Sequence, residues 1–388
     1  MTAFRLDLTV LAESRSRAGA SAAASRGPAL LARAGEGDAL RDEDLATLLL
    51  ASDVDTGLLL DLASRRRGAG SRLETFSPLY LTNECDAECA MCGMRGINSK
   101  LVRETADDRI VAQQLGILHR RGLRGVALVT GEYHHGPRRD EMLARVGRAV
   151  VMATELGFEH VLINAGSLEP NEYQAILEKL PSGLDETTAP RLTMCTFQET
   201  YDFSVYRRFI GSTATNPRTD FVRRLENFDR AIDAGMHSVN PGVLLGLHRD
   251  TAFELLALLA HARHLVARGA QVYVSLPRLR KATGTAHHAG VSDDLLFRFA
   301  ALVSFGMPEV RVVISTREPP LVQRRLLPVI GVLTPGSPGV APYTEKGARF
   351  ELEASQFEVL DKRPIEAVLA DAIADGFTIA GYEPGTPA

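Results

Sequence analysis

The stretch Pro78-Leu-Tyr-Leu-Thr-Asn-Glu-Cys-Asp-Ala-Glu-Cys-Ala-Met-Cys92 joins a short strand-like run to three cysteines with the spacing C-x3-C-x2-C. The run Phe76–Asn83, which begins two residues earlier, predicts a β-strand, so the cysteines lie on the loop that follows it. Cysteines this close together, in a long chain without a disulfide framework, indicate metal binding. Three thiolates would leave one iron of a [4Fe–4S] cluster without a protein ligand. The stretch therefore predicts that Cys85, Cys89 and Cys92 hold such a cluster.

A zinc site is the alternative interpretation of the same cysteines. Structural zinc takes four ligands, and no second pair of cysteines follows at finger-like spacing. A fourth ligand would have to come from Cys195, or from His134 and His135.

Short apolar runs rich in β-branched residues alternate with helical patterns from Leu73 onward. Eight of these runs predict strands: Phe76–Asn83, Gly125–Thr130, His160–Ala165, Leu192–Phe197, Ser238–Leu244, Gln271–Leu276, Arg311–Thr316 and Val329–Leu333. Eight β/α units predict an α/β protein whose strands close into a (β/α)8 TIM-type barrel, with its site at the carboxyl ends of the strands. An open doubly wound sheet is the alternative, but no glycine-rich nucleotide loop follows the first strand.

The first 72 residues differ in composition from the rest, being rich in Ala, Arg and Ser. They predict a short helical N-terminal extension (residues 1–72) packed on the barrel domain (residues 73–388). Two helices are predicted within it, at Asp42–Ala51 and Thr56–Arg67, with Gly68–Ser71 as a linker. We expect its first two dozen residues to be disordered.

Composition excludes several classes of protein. The 388 residues carry 44 Lys and Arg against 48 Asp and Glu, a net charge of −4. This balance gives no electrostatic attraction for nucleic acid or for an anionic membrane. No apolar run of about 18 residues and no signal peptide is visible. We therefore predict a cytoplasmic enzyme with neither nucleic acid nor membrane as a partner.

Further motifs carry a family resemblance. They are PLYLTN at Pro78, TGEY at Thr130, QETY at Gln198, YRRF at Tyr206, NPGVLLGL at Asn240, STREP at Ser315 and PGSP with VAPY between Pro335 and Tyr343. With the cysteine motif, they resemble radical S-adenosylmethionine (SAM) enzymes, and specifically the aromatic amino-acid lyases. Within that group the chain looks most similar to the tryptophan lyases that make 3-methyl-2-indolic acid for nosiheptide-type thiopeptides. The resemblance runs from about Leu73 to Asp361.

The resemblance implies a function and its cofactors. A [4Fe–4S] cluster and SAM would generate a 5′-deoxyadenosyl radical, which would take a hydrogen from the substrate amine and start fragmentation of the amino acid. We expect L-tryptophan as substrate and 3-methyl-2-indolic acid or a close relative as product. A lyase acting on tyrosine or another aromatic amino acid is the alternative. A reductant such as flavodoxin or ferredoxin is implied as electron donor.

The resemblance also implies roles for individual residues. Glu132, after Gly131, matches the acceptor of the SAM amine, and Glu199 matches the carboxylate that binds the ribose. Arg224 matches the arginine that pairs with the SAM carboxylate, and its neighbour Arg223 is the alternative. The remaining predicted SAM contacts are Met91, Ser167, Gly242 and Leu244.

The substrate end is predicted from three residues. Arg317 matches the arginine that binds the substrate carboxylate, since a guanidinium grips a carboxylate with two hydrogen bonds. An ion pair with Glu318 is the competing role for this arginine. Tyr80 is expected to face the barrel interior, and Thr334 stands where the thiopeptide enzymes have serine.

The sequence departs from the family in two places. Met91 precedes the third cysteine, where an aromatic residue is common; a polarizable thioether can fill that position. No cysteine follows Cys195, so the second cluster of the hydrogenase-assembly tyrosine lyases, and with it their activity, is not expected here.

Overall fold

Ten parallel strands form one curled sheet in the computed structural model, which describes residues 2–68, 72–180, 189–286 and 290–384. In chain order the strands are β1 Arg72–Glu74, β2 Ser77–Tyr80, β3 Gly125–Val129, β4 His160–Asn164, β5 Arg191–Cys195, β6 Ser238–Asn240, β7 Gln271–Ser275, β8 Arg311–Ser315, β9 Val332–Thr334 and β10 Thr378–Ala380. Their order across the sheet is β10-β1-β9-β8-β7-β6-β5-β4-β3-β2. The α/β barrel-type fold predicted from the sequence is confirmed.

The first barrel strand is split, and the split brings the two ends of the sheet together. Its first half, β1, pairs with β9 and β10, whereas its second half, β2, pairs with β3. Side chains bridge the remaining gap: the Thr75 hydroxyl donates to the Leu333 carbonyl at 2.8 Å, and the Ser77 hydroxyl to the Pro335 carbonyl at 2.6 Å. The eight predicted strands correspond to β2 through β9; β1, which precedes the first predicted strand, was not predicted. Strand β10 was not predicted.

Helices cover the outside of the sheet. They are α1 Leu8–Ala23, α2 Gly27–Gly35, α3 Asp42–Leu50, α4 Thr56–Arg67, α5 Asp108–Arg120, α6 Pro137–Glu155, α7 Pro170–Leu177, α8 Phe203–Ile210, α9 Phe221–Leu225, α10 Asn227–Asp233, α11 Thr251–Ala267, α12 Asp293–Gly306, α13 Pro320–Leu326 and α14 Ile365–Ala374. Several begin at a residue whose side chain caps the first backbone N–H groups, as Asp107 does for α5 and Asp250 for α11. No helix in the described ranges combines the length and apolarity needed to cross a bilayer.

The N-terminal extension corrects one prediction. The first two dozen residues were expected to be disordered, but Leu8–Ala23 forms helix α1, capped by Asp7 and packed on α3 and α11. Alanine and arginine, which suggested low complexity, are also strong helix formers, so the composition was compatible with a helix. Residues 69–71 of the predicted linker lie outside the described residues, and the domain division at residue 72 stays a prediction.

A buried arginine joins the extension to the barrel. Arg298 on α12 donates hydrogen bonds to the carbonyls of Ala51 at 2.7 Å and Val54 at 2.6 Å, in the turn between α3 and α4. Its Nε also donates to the Thr56 hydroxyl at 3.0 Å. These carbonyls are buried, so they depend on this one guanidinium for their hydrogen bonds.

We expect Arg298→Met to lower the stability of the protein by about 3 kcal/mol, because it leaves buried carbonyls without a donor. The measurement is thermal unfolding followed by circular dichroism. Arg65→Met, at an exposed position of the same extension, is the control and should leave the melting temperature unchanged. Equal melting temperatures for the two variants would contradict this role.

Candidate functional site

A cavity at the carboxyl ends of the barrel strands gathers most of the predicted site residues. The predicted site residues that line it are Tyr80, Cys85, Cys89, Met91, Cys92, Gly131, Glu132, Glu199, Arg224, Leu244, Arg317 and Thr334. Two predicted residues, Ser167 and Gly242, lie behind its wall rather than in it. Residues that were far apart in the sequence therefore meet around one enclosed space.

The three cysteines sit on the loop after β2, and each sulfur accepts a hydrogen bond. The backbone N–H groups of Ala87 and Glu132 donate to Cys85 Sγ at 3.4 and 3.3 Å. Burial raises the pKa of the Cys85 thiol to about 11 and that of Cys89 to about 12. Burial likewise raises the pKa of Cys92. Thiols in this setting become thiolates only with a strong positive partner, such as a metal centre.

The spacing of these side chains bears on which metal centre they fit. In the part of the chain that the structure describes, no three His, Cys, Asp or Glu side chains converge as they would around a single ion. The suggested fourth zinc ligands, Cys195, His134 and His135, do not complete such a group. A four-iron cluster binds each cysteine through a different iron atom and needs no such convergence. The donor set of three thiols on one loop facing a cavity therefore fits a [4Fe–4S] cluster.

Glu132 and Arg224 form a buried ion pair in the cavity wall. Arg224 Nη1 lies 2.7 Å from Glu132 Oε2, and the Ser167 N–H donates to Glu132 Oε1 at 3.0 Å. Burial alone would raise the pKa of Glu132, but the charges of Arg224 and Arg218 outweigh it and hold this pKa below its ordinary value. Ser167 thus positions the carboxylate from behind the wall.

The structure distinguishes between the two adjacent arginines. Arg224 Nε donates to the Phe197 carbonyl at 2.9 Å, which fixes the guanidinium at the cavity. Arg223 points away and bonds to Glu169 at 2.9 Å. Of the two, Arg224 is the one that a ligand in the cavity can reach.

Glu199 owes its position to an unusual backbone conformation. Its φ of 70° lies in the left-handed region, which residues other than glycine rarely adopt. The Leu244 N–H donates to the Glu199 carbonyl at 2.9 Å, and the Glu199 N–H donates to the Gly242 carbonyl at 3.2 Å. Gly242 therefore anchors the backbone that turns the Glu199 carboxylate toward the cavity.

Gly131 permits close contact between two loops. A Cβ on this residue would lie 2.0 Å from the Glu84 carbonyl oxygen and 2.7 Å from Cys85 Cα. Only glycine lets the loop after β3 approach the cysteine loop this closely. Met91, between the second and third cysteines, is buried and turned to the same cavity.

Tyr80 is linked to the cysteine loop through a residue that sequence reasoning missed. The Tyr80 hydroxyl donates to Gln356 Oε1 at 2.6 Å, and Gln356 Nε2 lies 3.6 Å from Cys92 Sγ. Gln356 belongs to the segment between β9 and α14, where no periodic pattern marks it. Thr334 ends β9 and contributes to the cavity wall.

Arg317 has no carboxylate within 4 Å among the described residues. Its guanidinium carbon lies 3.2 Å from the centre of the Phe357 ring, and its Nη1 is 3.5 Å from the Arg278 carbonyl. Glu318, the competing partner, bonds instead to Arg278 at 2.9 Å and Arg280 at 2.6 Å. Burial lowers the pKa of Arg317 to about 10, which still leaves it charged at neutral pH.

Positive charge exceeds negative charge in the cavity wall. The ionisable lining residues, apart from the tyrosine and the cysteines, are the arginines Arg95, Arg218, Arg224, Arg280 and Arg317 and the glutamates Glu132, Glu199 and Glu318. Five cations against three anions leave an excess of two positive charges in a partly dry environment. Such an excess favours ligands that carry carboxylates.

Arg218 is the second residue that the sequence did not reveal. Its Nη1 lies 3.1 Å from Cys89 Sγ, and its Nη2 donates to Glu199 Oε1 at 3.0 Å. It precedes α9 in a stretch without helical or strand periodicity, so nothing in the pattern placed it at the site.

Comparison with known proteins gives relatives along most of the chain. No protein-family model matches it. The chain is 29% identical over 353 residues to the 2-iminoacetate synthase of Escherichia coli (strain K12), covering 87% of this chain and 85% of that enzyme. The 2-iminoacetate synthase of Salmonella typhimurium is 26% identical with the same coverage.

Two solved structures share the fold. The FeFe-hydrogenase maturase HydG from Carboxydothermus hydrogenoformans superposes with a TM-score of 0.82 and 23% identity, over 96% of this chain and 83% of that one. Methylornithine synthase (PylB) superposes with a TM-score of 0.69 and 20% identity, over 90% of this chain and 97% of that one.

The sequence similarity to the 2-iminoacetate synthases relates the chain to radical SAM lyases that act on aromatic amino acids, whereas the two solved structures show a shared fold alone. The relatives use a [4Fe–4S] cluster and SAM, which confirms the cofactor prediction. The tryptophan substrate and the roles of individual site residues stay predictions.

We expect Gly131→Ala to reduce uptake of iron and sulfide at least tenfold, because the added Cβ would displace the Glu84 carbonyl and the cysteine loop with it. Iron and labile sulfide per chain are measured after anaerobic reconstitution. Gly290→Ala is the matched control, since a Cβ there has no neighbour within 4 Å. Normal loading of Gly131→Ala would mean that the loop contact is dispensable.

Proposed function

We propose that this chain is a radical SAM lyase that breaks a carbon–carbon bond of a free aromatic L-amino acid. Similarity to 2-iminoacetate synthases makes L-tyrosine the first substrate to test. L-Tryptophan, with 3-methyl-2-indolic acid as product, is the second candidate, and the motifs TGEY, STREP and PGSP favour it. The proposal rests mainly on one observation: the three-cysteine loop lines the same cavity as Arg317, which has no carboxylate within 4 Å among the described residues.

The residues near the cysteine loop suit SAM. When bound, the cluster and SAM supply a reducing electron and a 5′-deoxyadenosyl radical. A methionyl amine needs an acceptor, which the Glu132 carboxylate offers, and its carboxylate needs a cation, which Arg224 offers beside it. The Glu199 carboxylate is turned into the same space and suits the ribose hydroxyls.

The part of the cavity wall around Arg317 suits an amino acid. Phe357 holds the Arg317 guanidinium by a cation–π contact, which orients the cation while leaving its N–H groups able to bind a carboxylate. Apolar residues such as Phe76, Val129 and Phe197 line the cavity and suit an aromatic ring. A ligand bound inside the barrel would be partly shielded from water, which would protect reactive intermediates.

The deciding experiment is anaerobic reconstitution with iron and sulfide, followed by assay with SAM, dithionite and each aromatic amino acid. We expect substrate-dependent 5′-deoxyadenosine, detected by mass spectrometry. Formation of p-cresol from tyrosine would support the tyrosine reaction, and formation of 3-methyl-2-indolic acid from tryptophan would support the other. A loaded protein that makes no 5′-deoxyadenosine with any aromatic amino acid would refute the proposal.

The role of Arg317 is testable by pairing a protein change with a ligand change. We expect Arg317→Gln to weaken tyrosine binding at least about 30-fold, because truncating one partner of a buried charge pair costs about 2 kcal/mol or more. If tryptophan proves to be the substrate, it replaces tyrosine in this test. Affinity is measured by isothermal titration calorimetry of the reconstituted protein.

Tyramine, which lacks the carboxylate, provides the specificity control. Its affinity should be nearly the same for the wild type and Arg317→Gln, since it offers nothing for this guanidinium to bind. If tryptophan is the substrate, tryptamine replaces it. Arg325→Gln, an exposed arginine that stacks on Phe297 outside the cavity, should leave both affinities unchanged. If Arg317→Gln lost as much affinity for the amine as for the amino acid, Arg317 would not bind the substrate carboxylate.

A further inference from the structure

We propose that Arg218 is a positioning residue that raises the reduction potential of the cluster through Cys89 and links that potential to SAM binding through Glu199. The inference rests on the proposed function, because it requires the cysteines to hold a cluster. It concerns a residue to which neither the motifs nor the comparisons assign a role.

One guanidinium spans three parts of the site. Arg218 Nη1 lies 3.1 Å from Cys89 Sγ, and Nη2 lies 3.0 Å from Glu199 Oε1. Its Nε lies 3.6 Å from Glu132 Oε2, beyond hydrogen-bond distance, and has no other partner among the described residues. With only 11% of its side chain exposed, Arg218 is shielded from the solvent that would weaken these interactions.

The loop before α9 holds this arginine in place. The Tyr206 hydroxyl donates to the Arg218 carbonyl at 2.7 Å, and the Arg218 N–H donates to Asn216 Oδ1 at 3.1 Å. Asn216 in turn donates to the Ile210 carbonyl at 2.6 Å. Both sides of the residue are therefore fixed to α8, so its reach toward Cys89 is built into the fold.

The three cysteines differ in the kind of donor they receive. Cys85 accepts hydrogen bonds from backbone N–H groups, and Cys92 is approached by the neutral amide of Gln356. Of the three, and among the described residues, only Cys89 accepts a hydrogen bond from a charged donor. Hydrogen bonds and positive charge at a cluster ligand favour the reduced, more negative state, so Arg218 should raise the potential.

The bond to Glu199 extends the effect to SAM. A ribose hydroxyl that donates to Glu199 shares this carboxylate with Arg218, so ligand binding alters the charge balance around the guanidinium. If SAM binding changes the reduction potential, reduction must change the affinity for SAM by the same free energy, because the two equilibria are linked.

The test is a redox titration of the reconstituted full-length protein, followed by electron paramagnetic resonance, with and without SAM. We expect Arg218→Gln to lower the equilibrium constant for reduction about tenfold, equal to about 59 mV for a one-electron couple. Arg218→Lys keeps the charge but cannot bond to Cys89 and Glu199 with two separate nitrogen atoms. Its reduction potential should therefore lie between those of Arg218→Gln and the wild type. We also expect Arg218→Gln to weaken SAM binding at least tenfold and to show a smaller shift in potential on adding SAM.

Arg95→Gln is the matched control, since Arg95 also lines the cavity but bonds to the carbonyls of Ala90 and Gly284 rather than to a cysteine. It removes the same charge and should move the potential less than Arg218→Gln does. Equal shifts for the two variants would overturn the inference, because they would show a general charge effect. If Arg218→Gln takes up no cluster, Arg218→Lys decides: a reduction potential below that of the wild type supports the inference, and a wild-type potential overturns it.

Failure of the proposed function has a different signature. A wild-type protein that takes up no iron and sulfide would refute both proposals together. A loaded wild-type protein with unchanged potentials in both Arg218 variants would refute this inference alone.

Discussion

Glu132, a buried residue, holds four parts of the chain together around the cavity. Its backbone N–H donates to Cys85, its side chain pairs with Arg224 from α9, and the Ser167 N–H after β4 donates to its other oxygen. It follows Gly131, whose missing side chain brings β3 to the cysteine loop. Truncating one partner of such a buried pair leaves an uncompensated charge, so Glu132 and Arg224 stabilise this part of the cavity wall only as a pair.

The surplus of cations around this pair supports the proposed binding of an amino-acid carboxylate in the cavity. Glu132 and Arg224 balance each other, as do Glu199 and Arg218, and Glu318 satisfies Arg278 and Arg280. Arg317 remains without a carboxylate in the described residues and rests on an aromatic ring. A partly buried cation is stabilised most by a ligand of opposite charge. A free aromatic amino acid would supply that charge through its carboxylate, while its ring would pack on the apolar surface of the cavity.

Periodicity and motif spacing predicted the eight barrel strands and the cysteine loop, because these depend on short-range patterns. Most other residues of the cavity wall were predicted only from the family resemblance. They missed Arg218 and Gln356, which lie in irregular segments and reach the site only through tertiary contacts such as those of Tyr206 and Asn216. Ser167 and Gly242 were predicted to contact SAM, yet they lie behind the wall and position carboxylates. Strands β1 and β10 were not predicted, because both lie outside the eight β/α units that the pattern marks and pair mainly with each other.

The two missed residues have one property in common: each joins the cysteine loop to a ligand-binding residue. Arg218 connects Cys89 to Glu199, and Gln356 connects Cys92 to Tyr80. The first link carries a positive charge and the second a neutral amide, so only the first should shift a redox equilibrium strongly. The Gln356 link should instead couple the positions of the two residues it joins, because a displacement of Tyr80 would move the Gln356 amide that lies near Cys92. The cysteine loop is thus coupled to the predicted SAM site by charge and to the predicted amino-acid site by geometry.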